Sequence, residues 1–140
     1  VFQEEGKRIL DEFGISAKEY SVGYYIADAL ETISTLLTVI CKVAVDATGH
    51  DAEVCHIVVR KIGPKLRTKT GEVMGEKPMW AEKGEKEILK NTTEVYPGLV
   101  VAGMTANAVL GSPRMWAIFG GMLLSGKKAA RVAMKLLKEG

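Results

Sequence analysis

The chain reads as a single α/β domain, over residues 1–140, whose sheet includes parallel strands. Two strand–turn–helix units carry that reading, one over residues 42–62 and one over residues 99–138. A third observation sharpens it. Tyr96-Pro97-Gly98 is a turn that launches the apolar run Leu99-Val100-Val101-Ala102, which ends at Gly103-Met104. A buried strand that passes through glycine towards a helix start brings backbone amides close to a phosphate, and so points to a dinucleotide ligand.

Taken in order, residues 3–13 predict a short helix with Ile9, Leu10 and Phe13 on one face and Gly14 as its stop. A stronger helical period follows through Ile26, Ala29, Leu30, Ile33, Leu36, Leu37 and Ile40. Cys41–Asp46 then predicts a buried strand, with almost no connection between it and the preceding helix. Such a junction is abrupt, because helix-to-strand connections usually take several residues rich in Gly, Pro, Asn or Asp. Ala47–Asp51 predicts a tight turn, with Thr48 or Asp51 as cap for a helix carrying Val54, Cys55, Ile57, Val58 and Ile62. Gly63-Pro64 ends that helix. Residues 64–79 read as an exposed loop with room for a short strand, and Glu85–Asn91 as one or two helical turns. Leu99–Ala102 is the second strand. A last helix from about Met115 to Lys138 places Phe119, Met122, Leu123, Gly126, Ala130, Ala133 and Leu137 on one stripe.

With 47% hydrophobic and 26% charged residues among 140, the chain has the composition of a globular protein with a real core. A net charge of +2, with lysines scattered and not interleaved with aromatics, argues against nucleic acid and anionic membrane as partners. No apolar run approaches the ~20 residues that span a bilayer. An acidic, polar beginning predicts no signal peptide, and Cys41 and Cys55 form no CxxC pair. Together these predict a reducing cytoplasm with both thiols free.

Ligands on parallel sheets sit beyond the carboxyl ends of the strands. The turns at Gly49-His50-Asp51 and Gly103-Met104 both lie there, so both are expected to face one cleft. His50 is a metal ligand or general base in that position, or else a turn histidine with a satisfied hydrogen bond. His56 falls inside a helix and reads as structural. Arg114, between Gly111-Ser112-Pro113 and the last helix, suits bidentate binding of a carboxylate or phosphate, or else is a surface arginine. Met104 packs on a nucleobase or ribose, or fills core. Cys41 and Cys55 read as small core residues. Trp80, in a polar loop, reads as a lid or an interface residue. Gly120-Gly121 marks a place where a backbone or ligand comes close.

Four segments carry a family resemblance: Asp46–Val54 (with Thr48-Gly49-His50-Asp51), Gly75–Glu82, Val95–Met104, and Gly111–Met115 followed by Ile118–Ala130. They resemble the thiamine thiazole synthase family in its archaeal, sulfide-using form, also described as ribulose or ribose 1,5-bisphosphate synthetase or isomerase. The resemblance is strong over residues 42–138 and weaker over 1–40. It implies the C-terminal half of a three-layer, Rossmann-like dinucleotide-binding fold. It also implies formation of an adenylated thiazole, the thiamine precursor, from NAD, glycine and sulfide with Fe(II), in a homo-oligomer whose iron sites are shared between chains. By resemblance His50 ligates iron, Met104 contacts the NAD-derived nucleotide, and Arg114 holds the glycine carboxylate.

The chain departs from the family in three places. It has no GxGxxG loop, and the His-x-Asp-Pro segment expected about fifteen residues before His50 is replaced by helical pattern around Thr35. Met115-Trp116-Ala117 stands where the family usually has a smaller Met-Gly-Pro, which puts Trp116 where it is expected to crowd the glycine site. An internal deletion near residue 40 accounts for both the abrupt junction and the missing segment. Two other functions come from different classes: a catalytically incomplete remnant that binds nucleotide or forms oligomers, and an isomerase for a phosphorylated pentose. A flavin oxidoreductase is disfavoured by the missing glycine-rich loop.

Overall fold

The structure is a computed structural model and describes residues 40–116 and 119–139. The helices expected over 3–13 and 26–40 lie outside the described residues, except for Ile40. All described elements fall in the compact unit Cys41–Gly140. In chain order they are β1 (Ala44–Asp46), a 3-10 turn (Gly49–Asp51), α1 (Glu53–Ile62), α2 (Ala81–Asn91), β2 (Thr93–Tyr96), β3 (Leu99–Val101), α3 (Met104–Leu110) and α4 (Phe119–Glu139).

The three strands form a mixed sheet in the order β1-β3-β2. β1 and β3 are parallel, with Asp46 opposite Val101, and β2 and β3 are antiparallel. Parallel pairing in that register brings the carboxyl ends of β1 and β3 out on the same edge of the sheet. The expected parallel component is therefore present.

β3 is buried along its length and alternates between two cores, as the period of two in a strand requires. Leu99 and Val101 pack with Val95, Cys55, Ala106 and Val109 on the side of α1 and α3. Val100 and Ala102 pack with Ala129, Val132 and Leu136 of α4 on the other. Helices thus cover both faces, giving three layers.

β1 differs from its expectation. It begins at Ala44, after an irregular stretch over residues 40–43. It is not buried throughout: Val45 is 46% exposed, because β1 pairs only with β3 among the described strands. Cys41 lies on the surface rather than in the core, whereas Cys55 is buried as expected.

Two elements were not expected from the sequence. β2 forms a hairpin with β3 through Pro97-Gly98, and Gly98 adopts φ 77°, the positive value that the third residue of a type II turn needs. A Cβ there would also stand 2.7 Å from the Lys42 carbonyl oxygen. The second is α3, a seven-residue helix directly after Gly103.

The two outer helices also differ from expectation. α2 is longer than expected, at 11 residues. α4, described over Phe119–Glu139, is rotated from the expected stripe: Gly121, Ser125 and Ala129 are buried and Met122, Ala130 and Ala133 half-buried, while Phe119 is 74% and Leu123 71% exposed. Small residues win the interior because the helices come close. A Cβ on Gly121 would lie 3.2 Å from Glu85 Cγ and 3.4 Å from Ile88 Cγ2. Of the Gly120-Gly121 pair, only Gly121 is in close contact, and with side chains of α2; nothing lies within 4 Å of a Cβ on Gly120.

Candidate active site at the carboxyl ends of the parallel strands

Asp46 ends β1 and organises the turn into α1. It is fully buried, yet its carboxylate is well used. Oδ1 accepts from the Thr48 backbone N–H at 3.1 Å and the Thr48 hydroxyl at 2.7 Å, and Oδ2 accepts from Cys55 N–H at 2.9 Å. The Thr48 hydroxyl oxygen in turn accepts from Glu53 N–H at 2.8 Å. Asp46 and Thr48 therefore satisfy amides in the first turn of α1 that have no partner within the helix. Of the two caps expected, Thr48 takes the role. The turn between them is tight enough to hold Ala52 at φ 43°, in the left-handed region.

His50 sits in this turn, and the turn is tied to α3 by Thr105. The fully buried Thr105 hydroxyl accepts from Gly49 N–H and donates to Gly49 C=O, both at 2.9 Å. Thr105 follows Met104, which begins α3 and is half-buried. The two turns expected to share one edge are thus physically joined, and Met104 stands next to the clamp that holds the His50 turn.

Arg114 is placed by a different device. Segment 77–80 runs alongside 112–114, with Lys77 N–H on Ser112 C=O at 3.1 Å, Arg114 N–H on Lys77 C=O at 3.0 Å and Trp80 N–H on Arg114 C=O at 3.0 Å. Beneath it lies a buried polar network. Asn91 donates to Asn107 Oδ1 at 2.9 Å and to Ser112 Oγ at 2.7 Å, Asn107 donates to Gly84 C=O at 2.9 Å, and Ser112 N–H donates to Asn107 C=O at 2.9 Å. α2 presses against the same loop: a Cβ on Gly84 would stand 2.8 Å from Pro113 O and 2.9 Å from Met115 Cβ.

His50 and Arg114 meet on one carboxylate. Glu76 Oε1 lies 2.6 Å from His50 Nδ1, and Glu76 Oε2 lies 3.7 Å from Arg114 Nε. An ionised carboxylate can only accept, so His50 carries its proton on Nδ1 and presents Nε2 away from Glu76. Three segments far apart in sequence converge here, and two of the three residues are those expected. Glu76 carries no site signal of its own in the sequence, although it lies in the Gly75–Glu82 segment that carries part of the family resemblance.

The remaining candidates fall elsewhere. His56 is exposed on α1. Trp80 is exposed, with Lys83 Nζ 5.3 Å from its ring centroid. Burial first, then the hydrogen bond and charge of Asp46, push the Cys55 thiol well above its usual range, which makes it a poor nucleophile. Among the described residues no three His, Cys, Asp or Glu side chains gather to hold a metal. A separate open groove of about 480 Å³ lies between α2 and α4, lined by Leu89, Lys90, Leu124, Lys127, Lys128 and Arg131. None of the His50–Glu76–Arg114 group lines it. No described helix is long and apolar enough to cross a membrane.

Fold and site together define a mixed α/β protein with an imidazole and a guanidinium gathered where parallel strands end. Comparison with known proteins makes the assignment specific. The model of the Thi4 family matches residues 37–119. A thiamine thiazole synthase of Methanothermobacter thermautotrophicus is 41% identical, with 99% of this chain and 71% of the relative covered. One from Methanococcoides burtonii is 43% identical, with 98% and 71% covered. The crystal structure of Thermovibrio ammonificans THI4 superposes with a TM-score of 0.68 at 49% identity, covering 79% of this chain and 42% of that one. The chain belongs to the Thi4 family and is a relative of the thiamine thiazole synthases. The match to the Methanothermobacter protein spans 184 positions against 140 residues here, so the relative carries residues within the matched span that this chain lacks.

Proposed function

We propose that this chain serves thiamine biosynthesis in the cytoplasm as a thiazole-forming transferase, making the adenylated thiazole from NAD, glycine and sulfide with Fe(II), within a homo-oligomer. The observation that supports this best is the convergence of His50 and Arg114 on Glu76 at the strand ends. Arg114 is half-exposed and keeps guanidinium donors for an incoming carboxylate, which suits glycine. Held there, the glycine amine is directed at a carbonyl of the NAD-derived ribose, and their condensation releases water to give an imine. Met104, a soft side chain at the start of α3, borders the nucleotide.

The metal is tested by the donor set. His50 fits as one ligand, through Nε2, since Nδ1 is engaged by Glu76. With no three-ligand group among the described residues, the other donors come from outside them or from the bound adduct. Fe(II), when bound, would supply Lewis-acid chemistry there. His50 orients one coordination position and Arg114 fixes the carboxylate.

A second reading is favoured by the residues that the Methanothermobacter relative has within the matched span and this chain lacks. On that reading the chain binds nucleotide or forms oligomers without turnover. One anaerobic incubation separates them: the chain, Fe(II), NAD, glycine and sulfide, followed by mass spectrometry. The adenylated thiazole appears if the chain is an enzyme. Bound nucleotide with no thiazole establishes the remnant.

A further inference from the structure

We infer that Glu76 is a positioning residue, a single carboxylate that fixes the ring of His50 and the guanidinium of Arg114 relative to one another. This rests on the proposed role of His50 as a metal ligand. Glu76 is the least exposed of the three side chains, at 12% against 24% for His50 and 51% for Arg114. Its backbone neighbour Lys77 is pinned between Ser112 and Arg114 by two hydrogen bonds, so the carboxylate is delivered by a fixed segment and not by a free loop.

The two oxygens do different work. Oε1 takes the His50 Nδ1–H, which holds the imidazole in the tautomer whose Nε2 lone pair is available to a metal. A carboxylate behind a ligating histidine also raises the basicity of that ligand. Oε2 faces Arg114 Nε at 3.7 Å, an ion pair too long for a hydrogen bond, so it orients the guanidinium by charge and leaves its donors for a carboxylate ligand. One side chain thereby sets the distance between the metal-binding nitrogen and the anion-binding group. No step of the chemistry passes through Glu76 itself.

The test uses the full chain with ¹⁵N-labelled histidine and cobalt(II) as the metal probe. Wild type, Glu76→Gln, Glu76→Ala and His50→Ala are compared by ring-nitrogen chemical shifts and by cobalt titration. In wild type the His50 proton sits on Nδ1. In E76A it moves mainly to Nε2, the tautomer free histidine prefers, and cobalt affinity falls about 10–100-fold. E76Q nearly matches the shape of Glu76 and offers a neutral acceptor to Nδ1–H, so it keeps the wild-type tautomer and loses less affinity than E76A. A merely structural role for Glu76 would not move the tautomer.

The inference is overturned if E76A leaves both the ring shifts and the cobalt affinity at wild-type values while H50A loses binding. If H50A binds cobalt as wild type does, the metal reading falls instead, and the ring shifts alone then decide whether Glu76 positions His50.

Discussion

Replacing Thr105 with valine tests how the His50 turn is held. The substitution preserves shape, so it opens no cavity, and it removes a fully buried hydroxyl that both accepts from Gly49 N–H and donates to Gly49 C=O. The two Gly49 groups fare differently. Its carbonyl keeps a bond from Ala52 N–H at 3.3 Å, whereas its N–H has no other partner among the described residues. Stranding one partly buried amide costs about 1–3 kcal/mol, reduced because the valine no longer carries a hydroxyl to desolvate. A net loss of about 1–2 kcal/mol in a unit of this size lowers the melting temperature by about 5–10 °C. Amide exchange makes the assay specific. The Gly49 amide exchanges faster in T105V and stays protected in T105S, which retains the hydroxyl. A T105V variant with Gly49 still protected and the melting temperature unmoved would refute this role for Thr105.

The other outcomes can be checked with simple measurements. Gly84→Ala gains up to about 1 kcal/mol of helix propensity but overpacks the Pro113–Met115 loop, at about 1–3 kcal/mol. Urea denaturation should therefore show G84A less stable than wild type, and a more stable variant would contradict the packing. In the native chain at pH 8, iodoacetamide should modify exposed Cys41 and spare Cys55, whose thiol burial and Asp46 hold protonated. Equal rates at both would remove the case for an inert Cys55. The Glu94 carboxyl is held below its ordinary pKa by the Gly98 amide first and then by Arg67. A lowered folded pKa contributes stability that is present above the unfolded value and is lost as pH falls through the folded one. Wild type should therefore exceed E94Q in urea midpoint at pH 7, and the gap should close in acid. A gap that widens in acid would reverse the assigned sign.

The parts of the site that obey local rules were legible. His50 was placed because an apolar stretch ending in Asp46 and continuing into Thr-Gly predicts a turn at a strand end, and the parallel pairing of β1 with β3 did bring that turn beside Met104. Glu76 was not legible as a site residue, because segment 64–79 has no hydrophobic period and the partners of Glu76 lie 26 residues before it and on a separate loop. β2 went unseen because Thr93–Tyr96 is only four residues long and carries Glu94. α3 was hidden for a different reason. Its seven residues are buried almost all round, so no amphipathic stripe marks them. The face expected on α4 is rotated in the structure, because glycine at 121 fits against Glu85 and Ile88 of α2 while Val132 and Leu136 pack against Val100 and Ala102.

The most direct measurement is a crystal structure of the full chain grown with NAD, glycine and Fe(II). We predict an adenylated ligand at the carboxyl ends of β1 and β3, its carboxylate on Arg114 and its nucleotide against Met104, with His50 Nε2 on the metal. A nucleotide seated instead between α2 and α4, against Lys90, Lys127 and Arg131, would contradict it.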